Sequence, residues 1–364
     1  MKLSRSVVIA SALAASFALA ACSGTTTTQS ASDTSASGSS SSLNVMASFY
    51  PLKYLTEEIG GDLVKVTSLT PDGAEPHDLE LSPATVDQLG KADAVVYLGG
   101  FQSAVDEAVE HNGPETVIDV AKAVQLVGVT EDGNHPAEAE EDGNHPAEEE
   151  EEGDATESDS HDHEADHDDA DHMASSETAE EAEHHHHHHH HDMTTDPHFW
   201  LDPERMGQAA TAIGQALAKA DPKNAQTYTS NAATVTKNMK DLSTELVDAT
   251  ATCKHQTFVT AHTAFGYLAD RTGLTQVGIS GLDPDSSPSP ARLEEISKLV
   301  KSEGITTIFT EALIDPKVEQ TLADDLGIQT AVLDPIESQV DSSKDYAAVM
   351  RDNITALQTA LSCK

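Results

Sequence analysis

Basic residues are scarce in this chain, with 20 Lys and Arg against 63 Asp and Glu and a net charge of −43. So few cations cannot neutralise a phosphate backbone, which excludes nucleic acid as a partner. The shortage is sharpest in the middle. No basic residue lies between Lys122 and Arg205, while 131–196 carries 26 acids. Cysteine is limited to Cys22, Cys253 and Cys363, without zinc-finger spacing. The one long apolar run, 7–21, is too short and too rich in small residues for a stable membrane span. Aromatics make up 4% of the chain, with a single tryptophan, Trp200. Histidine is plentiful only in the acidic stretch, which holds 14 of the 19. The other five are His77, His111, His198, His255 and His262, so few imidazoles are available to an ordered site.

What is present begins with a leader. Lys2 and Arg5 precede the apolar run, which ends in Leu19-Ala20-Ala21-Cys22. This ending resembles the bacterial lipobox, and the resemblance implies export, a signal peptide over 1–21 and lipidation at Cys22. The Ser/Thr-rich 22–42 then reads as a flexible tether between membrane and folded domain. Outside the cytoplasm the remaining pair, Cys253 and Cys363, is a disulfide candidate, with two free thiols as the alternative. A bridge would close a loop of about 110 residues, worth about 4–5 kcal/mol in the chain-entropy model.

Short β-rich runs at 43–49, 64–69 and 94–98 alternate with helical patterns in the first half. Runs at 256–260, 275–279, 305–309 and 330–333 do so in the second. This alternation predicts an α/β protein of two lobes, each a parallel-rich sheet flanked by helices. Pro203 starts a small-residue helix to about 220. A longer helix follows over 221–250, long enough to join an N-terminal lobe (43–220) to a C-terminal lobe (251–364) as one rigid linker.

The stretch 131–192 has almost no large apolar residues and cannot pack a core. It contains EDGNHPAE twice, at 131–138 and 141–148. His161, His163, His167, His172 and the run His184, His185, His186, His187, His188, His189, His190, His191 follow. Such a tract reads as a set of weak transition-metal sites, because neutral imidazole is a good borderline ligand. A plain solvated spacer is the alternative.

Ligand sites in open α/β sheets gather beyond the carboxyl ends of strands. His77 and His262 are in such positions, His198 lies between two Asp-Pro turns, and a carboxylate near 334–337 follows the last strand. Three imidazoles with one carboxylate form an N3O set suited to Zn2+, whereas an oxygen-richer set would favour Mn2+. Taken singly, each histidine is as readily a hydrogen-bonded polar residue. His111 and His255 are read as surface residues.

Five motifs carry a family resemblance: PDGAEPHDLELSP at 71–83, DPHFWLDP at 196–203, TAHTAFGYLA at 260–269, IFTEALIDPK at 308–317 and VLDPIES at 332–338. Jointly the chain resembles the metal-binding substrate-binding lipoproteins of ABC importers, in the zinc/manganese cluster. The resemblance implies two lobes joined by a rigid helix, with His77, His198 and His262 as ligands. It leaves Glu337 or, less favoured, Asp334 for the fourth place, with Glu75 a further candidate. Glu311 resembles a residue that supports the site. A histidine in the third slot and a His-rich loop resemble zinc-specific members. The implied protein is no enzyme. It is a monomer that binds Zn2+ as cargo, is held to the cell membrane by its lipid and has a permease as partner. Manganese reception, zinc buffering and an adhesin role stay open as alternatives. A zinc hydrolase is disfavoured because HExxH is lacking.

Overall fold

The computed structural model describes residues 42–130, 134–136 and 194–364. The expectations for the leader, Cys22, most of the tether and the histidines from His161 to His191 lie outside the described residues. The first half runs β1 (Leu43–Ala47), α1 (Tyr50–Gly60), β2 (Val64–Ser68), α2 (Pro83–Leu89), β3 (Ala94–Tyr97), α3 (Ser103–Asn112), β4 (Thr116–Asp119) and α4 (Ala121–Val124). Then come α5 (Pro203–Ala220) and α6 (Ala225–Thr250). The second half runs β5 (Thr257–Thr260), α7 (Gly266–Thr272), β6 (Thr275–Gly278), α8 (Pro290–Glu303), β7 (Thr307–Thr310), α9 (Lys317–Leu326), β8 (Gln329–Val332) and α10 (Tyr346–Leu361).

The strands form two four-stranded sheets, ordered β2-β1-β3-β4 and β6-β5-β7-β8. All pairings are parallel, as in Val45 opposite Val66 and Thr310 opposite Val332. The α/β reading therefore holds, with the same strand order in both halves. Each sheet reverses direction of growth between its two central strands, where open sheets bind ligands.

Helix starts follow ordinary capping chemistry. The side chains of Ser82, Asp202 and Ser289 each accept a backbone N–H from the first turn, with proline just inside the helix. The linker helix begins at Ala225 rather than near 221. Asp221 is held in a turn instead: its carboxylate accepts from Asn224 Nδ2 and the Tyr228 hydroxyl. Gly214 lets α5 and α6 approach closely, since a Cβ there would lie 2.4 Å from that of Ala232.

One apolar cluster runs through both halves. It holds Phe49, Trp200, Ile213, Leu246, Phe258, Tyr346 and Met350. A separate cluster around Val95 and Leu89 covers the other face of the first sheet, and one around Ile308 and Ile296 that of the second. Both sheets are thus buried on two faces, as parallel sheets require. Cys253 and Cys363 form a disulfide across 110 positions, tying the end of α10 to the start of the second half. No described helix is long and apolar enough to cross a membrane.

Candidate metal site

The structure brings His77, His198, His262 and Glu337 together, with one ligand atom from each within 4.8 Å of all the others. Three Nε2 atoms surround one carboxylate oxygen. Glu337 Oε1 lies 3.1 Å from His198 Nε2, 3.4 Å from His77 Nε2 and 3.5 Å from His262 Nε2. The Nε2 atoms of His198 and His262 are 3.4 Å apart. His198 and His262 are fully buried. The sequence alternatives stand beside this group. Asp334 Oδ1 accepts the Ile336 N–H, and Glu75 Oε1 accepts the His77 N–H.

Two of the three histidines are oriented from behind. Asp196 Oδ1 accepts from both the backbone N–H and Nδ1 of His198, at 2.8 and 2.7 Å. Glu311 Oε1 does the same for His262, at 3.2 and 2.6 Å. These bonds fix the tautomer that leaves Nε2 free to ligate. His77 packs edge-on against Phe101, with centroids 4.9 Å apart. His262 follows β5 and Glu311 follows β7, the two strands flanking the reversal point of the second sheet.

The Glu337 loop is anchored by the 196–203 motif. Trp200 Nε1 donates to Pro335 O at 2.7 Å, and the Tyr346 hydroxyl donates to Trp200 O. Asp202 receives a two-point contact from Arg271 Nε and Nη2, at 3.0 and 2.7 Å, which links this motif to α7. Gly73 N donates to Ser338 Oγ at 2.7 Å, joining the His77 loop to the Glu337 loop. Ile336 has φ 56°, a left-handed conformation that a β-branched residue rarely adopts, immediately before Glu337.

Electrostatics reinforce the convergence. Burial opposes charge on His198 and His262, yet Asp196 and Glu311 outweigh it and raise both imidazoles above their ordinary range. Burial also opposes a charged Glu337, but the three histidines hold it well below the usual carboxylate range. His77 is pushed down by burial, which exceeds the pull of Glu337. Burial and then the Glu337 charge raise Glu75 to about 8.

Sequence reasoning missed His135, read above only as part of the tract. Its Nε2 lies 2.9 Å from Asp196 Oδ2 and its Nδ1 2.5 Å from Asp270 Oδ2. Burial lowers its basicity, but these two carboxylates overcome that and raise it to about 9. The signal available was the repeated octapeptide, which keeps one histidine before proline in a fixed setting. His111 and His255 are outside the cluster, as expected.

A family model described as ZnuA, zinc-uptake complex component A periplasmic, matches residues 45–360. Zinc-binding protein AdcA of Streptococcus pyogenes is 32% identical over 323 residues, covering 87% of this chain and 55% of that protein. The chain thus spans about half the length of the AdcA relatives it matches. High-affinity zinc uptake system protein ZnuA of Bacillus subtilis is 28% identical over 329 residues, 88% of each chain. Among solved structures, the Zn(II)-bound ZnuA-like domain of Streptococcus pneumoniae AdcA aligns with TM-score 0.63 and 26% identity, over 88% of this chain and 99% of that one. The laminin binding protein Lmb of Streptococcus agalactiae aligns with TM-score 0.67 and 28% identity, over 88% and 99%. By the extent of the family match and the two-sheet fold, the chain belongs to the ZnuA family of zinc-uptake binding components.

Proposed function

We propose that the protein is an extracytoplasmic Zn2+ receptor that hands its ion to an ABC importer permease, and that lipidation of Cys22 holds it at the membrane. The observation carrying this reading is the spacing of the four ligand atoms. A tetrahedral Zn2+ with bonds of about 2.0–2.2 Å requires ligand atoms about 3.3–3.6 Å apart. The contacts of Glu337 Oε1 with the three Nε2 atoms, and that between two of the Nε2 atoms, run from 3.1 to 3.5 Å. His77, His198, His262 and Glu337 are therefore the ligand set of this reading.

Capture proceeds by exchange of protons for metal. The raised imidazoles give up their protons as Nε2 takes the ion, while Asp196 and Glu311 stay bonded to Nδ1. Glu337 already carries its charge, so it neutralises part of the cation on arrival. Three nitrogens against one oxygen favour Zn2+ over Mn2+. Glu337 also takes the place that hydrolytic zinc sites leave to water, which suits holding rather than catalysis. The histidine-rich 131–192 supplies weaker sites that raise the local ion concentration.

The test is titration of the full-length chain with Zn2+ and Mn2+ against a competing chelator, alongside His262→Ala. One tight Zn2+ per chain, absent from the variant and not matched by Mn2+, is the expected result. A wild-type chain without a tight site would sink the receptor reading.

A further inference from the structure

The ligand set leaves one buried group unexplained. His135 belongs to the acidic stretch, yet its side chain is 5% exposed. Its two ring nitrogens bridge Asp196, which is fully buried, and Asp270 on α7. The ring packs edge-on against Tyr267, with centroids 4.6 Å apart at 84°. Tyr267 is itself fixed: its hydroxyl donates to Asp196 O and accepts from Val127 N, both at 2.8 Å, and the Arg205 guanidinium lies 4.6 Å from its ring. Thr130 N and Oγ1 both donate to Asn134 O, which fixes the residue just before His135.

The receiving surface has room for this imidazole only because residue 266 is glycine. A Cβ at Gly266 would lie 2.9 Å from His135 Nε2 and 2.9 Å from Asp196 Oδ2. This is a fitted socket rather than a chance surface contact. Its inner wall is the carboxylate that orients His198. Asp196 Oδ1 holds the His198 ring, and Oδ2 holds His135. The two oxygens of one carboxylate share a plane, so fixing one fixes the other.

We infer that His135 is a positioning residue for the metal site: seated between Asp196 and Asp270, it locks the Asp196 carboxylate in the orientation that aims His198 Nε2 at the metal. The inference rests on the receptor reading above and adds a residue that acts through Asp196 without reaching the ion. It also gives the repeated octapeptide a meaning. EDGNHPAE recurs at 141–148, so removing 131–140 joins an identical sequence, with His145 in place of His135, to Thr130. The chain therefore carries a spare copy of its own positioning histidine.

The experiment uses the full-length chain, purified in detergent and loaded with one equivalent of Zn2+. Release to excess chelator is followed by stopped flow, and the visible absorption of the Co2+-loaded form reports ligand geometry. His135→Ala/His145→Ala removes both copies, and Zn2+ release is expected to quicken about tenfold, the lower end of the cost of losing an outer partner. Its Co2+ bands should shift. Asp270→Ala removes the outer anchor from an exposed position, leaves Asp196 in place, and should quicken release about threefold. Deleting 131–140 from the wild-type chain, which brings His145 into the place of His135, should leave release and the Co2+ bands as in the wild type, whereas loss of generic loop packing would change both. Wild-type release and an unchanged spectrum in the double-histidine variant would overturn the inference. So would a deletion form that behaves like that variant. Absence of any tight Zn2+ in the wild type would instead count against the receptor reading itself.

Discussion

His198 and His262 reach one site from opposite halves, yet each is held differently along the chain. The carboxylate behind His198 is Asp196, two residues away, on the same turn. The carboxylate behind His262 is Glu311, 49 residues away and just past the end of another strand. The first half takes the orienting group from the same turn of chain. The second depends on the sheet, because only the pairing of β5 with β7 brings the partners together. A shared chemical requirement thus has a local solution and a topological one.

The strongest way to break this comparison is to remove a ligand. His198→Ala and His262→Ala should each weaken Zn2+ binding by more than about 100-fold, since outer partners alone account for 10–100-fold. Chelator competition measures it, and a loss confined to one half would mean that the two imidazoles are not equivalent. The orienting carboxylates come next. Asp196→Asn and Glu311→Gln should each cost about 10–100-fold. Adding Glu311→Gln to His262→Ala should change little further, because partners in one network are not additive. Near-additive losses in that pair would show that Glu311 acts on something besides His262.

Acidity sharpens the comparison in a graded way. His198 and His262 have raised pKa values in the metal-free protein, through Asp196 and Glu311 set against burial. The metal-free form therefore holds protons that Zn2+ must displace, and affinity should fall as pH falls, by about one log unit or more per pH unit below neutrality. A flat profile from pH 7 to 5 would contradict this. His135 behaves in the opposite direction with respect to its own docking. Its folded value of about 9 lies above the ordinary histidine value of 6.5, so the stabilisation is fully present below that ordinary value and is lost as pH rises through about 9. Its imidazole resonances in an NMR titration should report that midpoint.

The smallest effect on binding belongs to the disulfide, which has no counterpart in the first half. Cys253→Ser/Cys363→Ser should lower stability by about 4–5 kcal/mol in the chain-entropy model while leaving Zn2+ affinity within about twofold. Denaturant unfolding and the same chelator assay separate the two.

Much of this was legible in the sequence because the chemistry is concentrated in motifs. The α/β alternation gave both sheets; His77, His198, His262 and a carboxylate near 334–337 were named from their loops, and the family resemblance favoured Glu337. The elements overlooked were β4, α3, α4 and α9. The four residues of β4 include the exposed Val117, so they present little of a buried strand's apolar run. The polar sequence of α3 buries only Val105 and Ala108, which blurs its helical period. Which of Asp334 and Glu337 lies among the three histidines depended on backbone conformation. Asp334 is spent on the Ile336 N–H, and the left-handed Ile336 turns the next side chain inward. His135 was hidden for another reason: composition describes a whole tract, and a single residue can depart from it.

The base of that tract has a consequence for how the protein can change. Val129 N donates to Thr194 O, and Gly128 pairs with Thr195, so the chain is stapled shut where the tract leaves and returns. The entropy of a loop closed at its base grows only with the logarithm of its length, and doubling it costs about 0.6 kcal/mol. A change in the number of residues between 130 and 194 therefore costs little at this base, and the count of histidines there is only weakly tied to the fold beneath.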